Sequence, residues 1–549
     1  MSANPYWERL SGLKRERSSY ETHWREIGLF IAPKRYRERG ARENDGLKAY
    51  HKILDETGMF ARRVFVAGFM AGMTSPARPW FKLVTSDADL MDSSGVREYL
   101  EQVERRIRLA LSRSNFYQAI AHNYDDLGTF GTAAMSCMEG GDRSAVWFYP
   151  HTLGQYWIGS NDQGVTDVMY RQTSKTVGQL VQQYGIENVS DTVKRMYRNN
   201  SLESWVPCVQ AIEPNDDRVP GRIDFDNMPY RSVWFEEGQD GQEKYLAKRG
   251  FLEFPTMAPR WDVTAQDAYG VDCPGMLSLP GSKQLMAQQR RKGQAIDLLV
   301  RPPLQAPSSM EAKGVSNILP GGISYVSGEG LRPVYEVRPQ IQEMLGDIAE
   351  VQERISRAFF VDMFLMISQT DDVRTATEIA VRNEEKLLML GPVLQRVQTE
   401  LLDPVIDRVF SIMERNELLP PPPPELQGQE LRVEYISMMA QAQQSVGTSA
   451  IERTLGLAGN MAGVKPDILD KVDFDVALEE YAAMTGAPQR MILSSDDVAA
   501  VRMQRAQAEQ AAAAMENMAQ GASAAELLSR TEVRPDNALG QIMGGVANG

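Results

Sequence analysis

Residues 357–394 read RAFFVDMFLMISQTDDVRTATEIAVRNEEKLLMLGPVL, and their order decides the fold. The stretch leaves one helix, runs through an apolar segment, crosses a polar hinge and enters a long second helix. Thr375 and Glu378 stand at the S/T-x-x-E spacing of a capping box, in which each side chain satisfies a backbone N–H of the first turn. The hinge Ser368-Gln369-Thr370-Asp371-Asp372 has no apolar residue to bury. A polar loop held between two strong helices is placed to meet something outside the subunit. No nucleophile, metal-ligand or phosphate-loop pattern accompanies it, so the stretch points to a machine part rather than an active site.

Upstream, Val337, Ile341, Met344, Leu345, Ile348, Val351, Ile355 and Phe359 mark an amphipathic helix. Before it, Ser282–Val300 reads as a helix with a polar middle, and Pro302-Pro303 stops it. Residues 304–335 between them are rich in Gly, Pro and Ser, with strand-like pieces at Ile318-Leu319 and Ile323–Val326. Two helices therefore flank a small irregular excursion. Downstream, one long helix is expected from Ala376 to Met413, kinked at Gly391-Pro392. Pro420–Pro424 is a stiff spacer, Leu431–Tyr435 a strand and Ile436–Ala450 a helix. Helices then alternate with Gly and Pro breaks to Glu516, before an Ala/Gly-rich tail expected to be partly disordered.

The first half has a different rhythm. Trp7, Leu10, Leu13, Tyr20, Trp24, Ile27 and Ile31 give an amphipathic opening helix, followed by helices at 50–72, Val96–Leu111 and Phe116–Met135. Gly68 and Gly72, at a spacing of four, would let two helices approach closely, as would Gly128, Gly131, Ala133 and Ala134. The period then changes to two. Strands are expected at Ala145–Tyr149, Gln155–Ile158, Val165–Arg171, Val206–Ile212, Tyr230–Glu236 and Lys244–Arg249, with a short helix at Val177–Tyr184. The fold class is α+β, predominantly helical.

At 549 residues several subdomains are expected. The net charge of −14 argues against a protein that coats DNA, though not against a surface that DNA passes without sticking. Residues 1–63 run the other way, with 14 Lys+Arg against 9 Asp+Glu. Their basic run Lys34–Arg39 reads as a solvated face before it reads as a nucleic-acid patch. Three scattered cysteines, Cys137, Cys208 and Cys273, suggest free thiols in a reducing compartment. The N-terminus lacks a signal-peptide core, and no apolar run is long enough to span a bilayer.

Catalytic patterns fail one by one. Gly275-Met276-Leu277-Ser278-Leu279-Pro280-Gly281-Ser282-Lys283 has five residues between its glycines and puts Ser before Lys, so it is no phosphate loop. His23, His51, His122 and His151 form no metal-ligand pair. The pairs Asp125-Asp126, Asp224/Asp226 and Asp473/Asp475 lack the glycine and distal glutamate of a calcium loop. No catalytic residue, metal or cofactor is expected, and the chain does not read as an enzyme.

In this order the elements resemble the head-to-tail connector, or portal, proteins of short-tailed bacteriophages. The resemblance covers at least residues 5–440. It is carried by GFMAGMTSPARPWFKL (68–83), EFPTMAPRW (253–261), YGVDCPGMLSLPGSKQL (269–285), RPPLQAP (301–307), LPGGISYVSG (319–328) and the opening stretch with its continuation to Phe410. It implies a closed ring, twelve-fold in most members, at one capsid vertex of the virion, assembled in the host cytoplasm. A terminase motor and later tail adaptor proteins would dock on it, the major capsid and scaffolding proteins would surround it, and double-stranded DNA would pass through its tunnel. In these terms 1–275 is an outer wing and 276–300 the first stem helix. The clip is 301–336, the second stem helix 337–360 and the tunnel loop 361–375. Residues 376–440 return through the wing, and 441–549 form a crown. Ser368, Gln369, Thr370, Asp371, Asp372 and Arg374 would face DNA. Arg290, Arg291 and Lys292 would face DNA or a neighbouring subunit, and Gln305, Lys313, Asn317, Tyr325 and Glu329 would form the docking surface of the clip. The competing readings are another structural virion protein, capsid or scaffold, and a packaging enzyme.

Overall fold

The protein was analysed as a computed structural model. It describes residues 4–37, 52–87, 90, 93–141, 144–219, 221–222, 224–237, 245–307, 323–326, 332–333, 341–368, 389–426, 431–437, 439, 451, 454–461, 471–485, 498–512 and 514–515.

Helix α1 (Pro5–Phe30) starts where the Asn4 side chain accepts the Tyr6 N–H and Pro5 fills a first position that needs no donor. Its apolar stripe buries Leu10, Leu13, Trp24 and Ile27. Helix α2 spans Thr57–Met73 and begins later than the expected 50–72. The Asp55 carboxylate sets that start by accepting the Thr57 N–H at 2.9 Å. Strand β1 (Phe81–Thr85) and helices α3 (Ser94–Arg113) and α4 (Phe116–Phe130) follow.

The expected helix Phe116–Met135 stops at Phe130. Gly131 sits at φ +79°, the left-handed conformation that glycine adopts freely, and its N–H closes the last turn onto Leu127. Residues Ala134–Glu139 then form strand β2, which pairs antiparallel with β3 (Val146–His151) and, further on, with β9 (Thr256–Met257).

The larger sheet runs β4 (Tyr156–Ser160), β5 (Thr166–Thr176), β6 (Trp205–Pro214), β7 (Tyr230–Glu236) and β8 (Ala247–Phe251) in that spatial order, antiparallel throughout. Helix α5 (Val177–Tyr184) carries a complete capping box between Thr176 and Gln179. Helix α6 (Asp191–Arg198), capped by Ser190, has no counterpart among the expected elements. One face of the sheet packs Trp157, Tyr170, Val209, Ala211 and Val233 against Leu10 and Leu13 of α1.

Helix α7 runs Pro274–Val300, eight residues longer at its start than the expected Ser282–Val300. Pro274 occupies a first-turn position, where its missing N–H costs nothing, and Pro280 is accommodated inside the helix. The near-miss phosphate loop Gly275–Lys283 is therefore helix and forms no loop. Three short strands follow, β10 (Leu304–Pro307), β11 (Ile323–Val326) and β12 (Arg332–Pro333), with β10 in the middle. The expected strand Ile318-Leu319 lies outside the described residues.

Helix α8 (Ile341–Ala358) packs antiparallel on α7, with Arg354 donating to Gln284 at 3.1 Å and Gln288 bonded to Asp347. Helix α9 (Val361–Ser368) follows after a two-residue turn. From 389 the chain is helical through Gly391 and Pro392. The regular helix gives way further on, at Gln398–Leu402, to a π-helical turn. Pro404 has no N–H to continue the regular ladder, and the Asp403 N–H reaches back five residues to Gln398. The helix Asp403–Arg415 completes the segment, and strand β13 (Leu431–Tyr435) returns to pair with β1, from Phe81↔Tyr435 to Thr85↔Leu431.

One large apolar cluster joins α1–α4, β1–β3, the body-proximal ends of α7 and α8, α9 and residues 390–413. The two halves that differ in sequence rhythm thus share one core.

Candidate functional site

The chain's most unusual surface is the outer half of the α7–α8 pair. The body half of α7 is locked in place: Pro274, Gly275, Ser278, Leu279, Ser282, Leu285 and Met286 are buried. A Cβ added to Gly275 would lie 2.0 Å from the Thr129 carbonyl oxygen, so the helix start touches α4 backbone directly. The Cys273 thiol caps it, accepting the Met276 N–H at 3.4 Å.

Beyond Met286 no residue of α7 is buried. At 27 residues and about 1.5 Å per residue the helix is roughly 40 Å long, and among the described residues its outer half meets α8 and, through Gln289, Asp55. Ile296, Leu299 and Val300 are exposed at its tip, Val300 by 72%, and Leu345 is exposed on α8. Arg290 and Arg291 are exposed, Lys292 is half-buried, and none of the three forms an ion pair with a described residue. An isolated pair of helices has little apolar burial to hold it, so such an arm gains stability from a neighbour.

At the inner end, Phe360 adopts φ +53° and turns the chain from α8 into α9. Residues Val361–Ser368, expected to begin the tunnel loop, are helical instead, because their apolar side chains have a place to go. Met363 and Phe364 are fully buried. The Phe364 ring meets Phe65 edge-on at 5.3 Å, and a Cβ on Gly68 would lie 2.3 Å from Phe364. The small residue at 68 does permit a close helix approach, as its spacing suggested. Of the expected tunnel-loop residues, Ser368 closes α9. Gln369, Thr370, Asp371, Asp372 and Arg374 lie outside the described residues, as does the capping pair Thr375 and Glu378.

The helical segment that resumes at 389 is anchored at its π turn. The buried Arg260 donates through its backbone N–H and its guanidinium to Glu400, at 2.9 and 2.7 Å, and through the same guanidinium to the Asp267 and Gly164 carbonyls. This clamp ties the turn to the body at several points. Sequence reasoning missed it, since the two residues stand 140 positions apart and nothing in either quoted stretch pairs them.

In the excursion, Gln305 lies on β10 opposite Ser324 of β11, and Tyr325 lies opposite Ala306. These two expected docking residues share one small sheet. Lys313, Asn317 and Glu329 lie outside the described residues.

The pair Asp125-Asp126 and one arginine of the basic run hold the body together. Arg35, from the basic run, turns inward and donates to Asp126 at 2.7 Å, while Arg62 pairs with Asp125 at 3.0 Å. Burial pushes Asp126 up to about 6, against the opposing pull of Arg35. Arg35 and burial together hold His122 below its usual range, burial being the larger cause. His151 is fully enclosed and bonded to Ser136, which also meets Thr256. All three cysteines are free and buried, and burial pushes each thiol up to about 12. Among the described residues no group of His, Cys, Asp and Glu could hold a metal ion, and no helix is long and apolar enough to cross a membrane.

The whole chain also matches known proteins. A family described as bacteriophage head to tail connecting protein matches residues 4–493. A portal protein of Salmonella phage epsilon15 is 43% identical over 537 residues, covering 97% of this chain and 96% of that protein. A probable portal protein of Bordetella phage BPP-1 is 41% identical over 536 residues, with the same coverage of both chains.

Proposed function

The chain belongs to the bacteriophage head-to-tail connecting protein family, and from that premise we propose that it is the portal subunit of a phage. In this reading twelve copies close into a ring at one capsid vertex. Terminase docks on the ring for packaging, tail adaptors replace it, and double-stranded DNA passes through the central channel. The observation that carries the reading is full-length similarity to proteins named portal, joined to a helical arm that one chain leaves half-covered. Capsid shell, scaffold and packaging-enzyme readings have no comparable support.

The expected regions are assigned to the described elements as follows. The body with its three sheets would be the wing, α7 and α8 the stem, and the β10–β12 excursion the clip. The pairing of β13 with β1 supports a return of the chain through the wing. With α9 packed in the body, the channel loop would begin at Ser368 and run through Arg374. A net charge of −14 suits a conduit, because dense phosphate binding would brake the DNA. Arg290, Arg291 and Lys292 would lie along the stem, where a neighbour's carboxylates or DNA would neutralise them.

Electron microscopy of the purified chain should give closed rings, and a protein that stays monomeric under all conditions would overturn the reading. Within such rings, deleting Ser368–Asp372 should leave assembly intact while DNA packaging falls at least tenfold. Loss of the ring itself would make that loop structural.

A further inference from the structure

The second face of the five-stranded sheet is built unlike the first. Where the first packs dry against α1, the second carries a cross-strand row of Arg171, Gln210 and Trp234, with Ser232 and Arg249 in the next row. These side chains floor a cavity of about 490 Å³ that is closed on its other side by Tyr149 of β3 and by Arg408 and Arg415.

A hydrogen-bonded relay crosses that floor. Arg171 Nε donates to Gln210 Oε1 at 2.7 Å, and Gln210 Nε2 donates to Ser232 Oγ at 2.9 Å. Gln210 and Ser232 are buried, at 3% and 1% exposure, so the relay is rigid. It ends on a cation. The Arg171 guanidinium lies 5.3 Å from the Trp234 ring centre, and its two terminal nitrogens have no partner among the described residues. Lys175 sits at the same distance from that ring, and Arg249 has no ion-pair partner among the described residues.

The carboxylates at the wall are already engaged. Arg408 and Arg415 take Glu253, and Arg415 also meets Glu139. Burial lowers Arg171 to about 10, against the opposing pull of Tyr149 and Tyr184. A half-buried guanidinium with no counter-ion among the described residues is costly, and a planar anion meeting its free fork with two parallel bonds removes the cost.

The geometry points to this cavity as a docking site for an acidic side chain of a partner polypeptide, with an apolar residue beside the carboxylate. Charge complementarity selects the carboxylate. The rim selects its neighbour: Phe225, Tyr149 and Leu252 are exposed, at 67%, 44% and 45%, forming an apolar collar next to the cations. A phosphodiester backbone would instead need an open stripe of several cations. Nothing in the channel reading uses this site, which lies on the sheet of the body rather than on the arm.

The test is calorimetric titration of the assembled protein with a terminally blocked FDEL peptide and its neutral twin FNQL. FDEL should bind at least about tenfold more tightly than FNQL, and Arg171→Gln should lose about tenfold in FDEL affinity. Because the substitution keeps a polar group while removing an uncompensated cation, its melting temperature should match or exceed that of the unaltered protein. If Arg171→Gln fails to fold, Arg249→Gln, which lies outside the relay, should show the same loss in weaker form. Equal binding of the two peptides, binding of neither, or tighter binding of inorganic phosphate or a short DNA duplex would each overturn the proposal. So would a ring in which a second copy of the chain fills the cavity.

Discussion

The body and the helical arm of this protein solve the same problem in opposite ways. In the body nearly every large side chain finds its partners within one chain: Trp24, Phe65, Phe69, Tyr124 and Phe364 are fully buried, and Arg260, Arg35 and Arg408 have carboxylate partners. In the outer half of α7 no residue is buried, and apolar and basic side chains alike face outward. The body is largely completed within one chain, whereas in the proposed ring a neighbour would complete the surface of the arm. The division suits a ring subunit, in which rigid bodies are joined through elements that are unfinished alone.

The largest expected effect breaks the arm and spares the body. Leu299→Asp combined with Val300→Asp should abolish ring formation, read by light scattering after gel filtration. The melting transition of the monomer should move by no more than a few degrees, because neither residue packs in the core. The converse change is Phe364→Ala, which removes the aromatic plug between α2 and α9. It should destabilise the monomer by about 3–5 kcal/mol in denaturant unfolding.

Glu400→Gln probes the joint between the two regions. It leaves the buried Arg260 without its anion and should cost about 2–4 kcal/mol. Its effect should appear as faster hydrogen exchange at 389–402 rather than across the sheet. A uniform increase would show that the clamp serves the body as a whole.

The smallest effect is the pH dependence of the Asp126 cluster. Its carboxyl is raised from the ordinary value of 3.8 to about 6, so the folded state holds its proton more tightly than the unfolded chain. The stabilisation linked to that proton is fully present below about 4 and is lost as pH rises through about 6, an amount of at most about 3 kcal/mol. Relative to Asp126→Asn, the unaltered protein should therefore gain stability between pH 6.5 and 4.5. A flat difference would mean that Arg35 outweighs burial at this site.

The sequence made the regular elements legible where pattern and punctuation agreed. Val177–Tyr184 and Tyr230–Glu236 coincide with α5 and β7, because clear periodicity meets a cap or a turn at both ends. It misled where one residue type serves two purposes. Gly131 reads as a packing glycine within a helix but acts as its left-handed stop, which freed Ala134–Glu139 to become a strand. The helix was expected to start at Ser282, yet Pro274 opens α7 and Pro280 is carried within it. The π turn at Gln398–Leu402 follows from Pro404, a residue not counted among the expected breaks.

The site was legible in part. The polar hinge lies outside the described residues beyond Ser368, while its apolar approach is helix because Phe364 has Gly68 to pack on. Arg260 with Glu400, and Arg171 with Gln210, were illegible because each pair spans strands or helices far apart in sequence. Only the fold brings them together.

Hydrogen exchange compared between dissociated and assembled protein tests the central claim most directly. If neighbours complete the arm, amides of residues 287–300 should gain at least tenfold protection on assembly, while those of Phe116–Phe130 stay unchanged. Equal protection of residues 287–300 in both states would contradict the account.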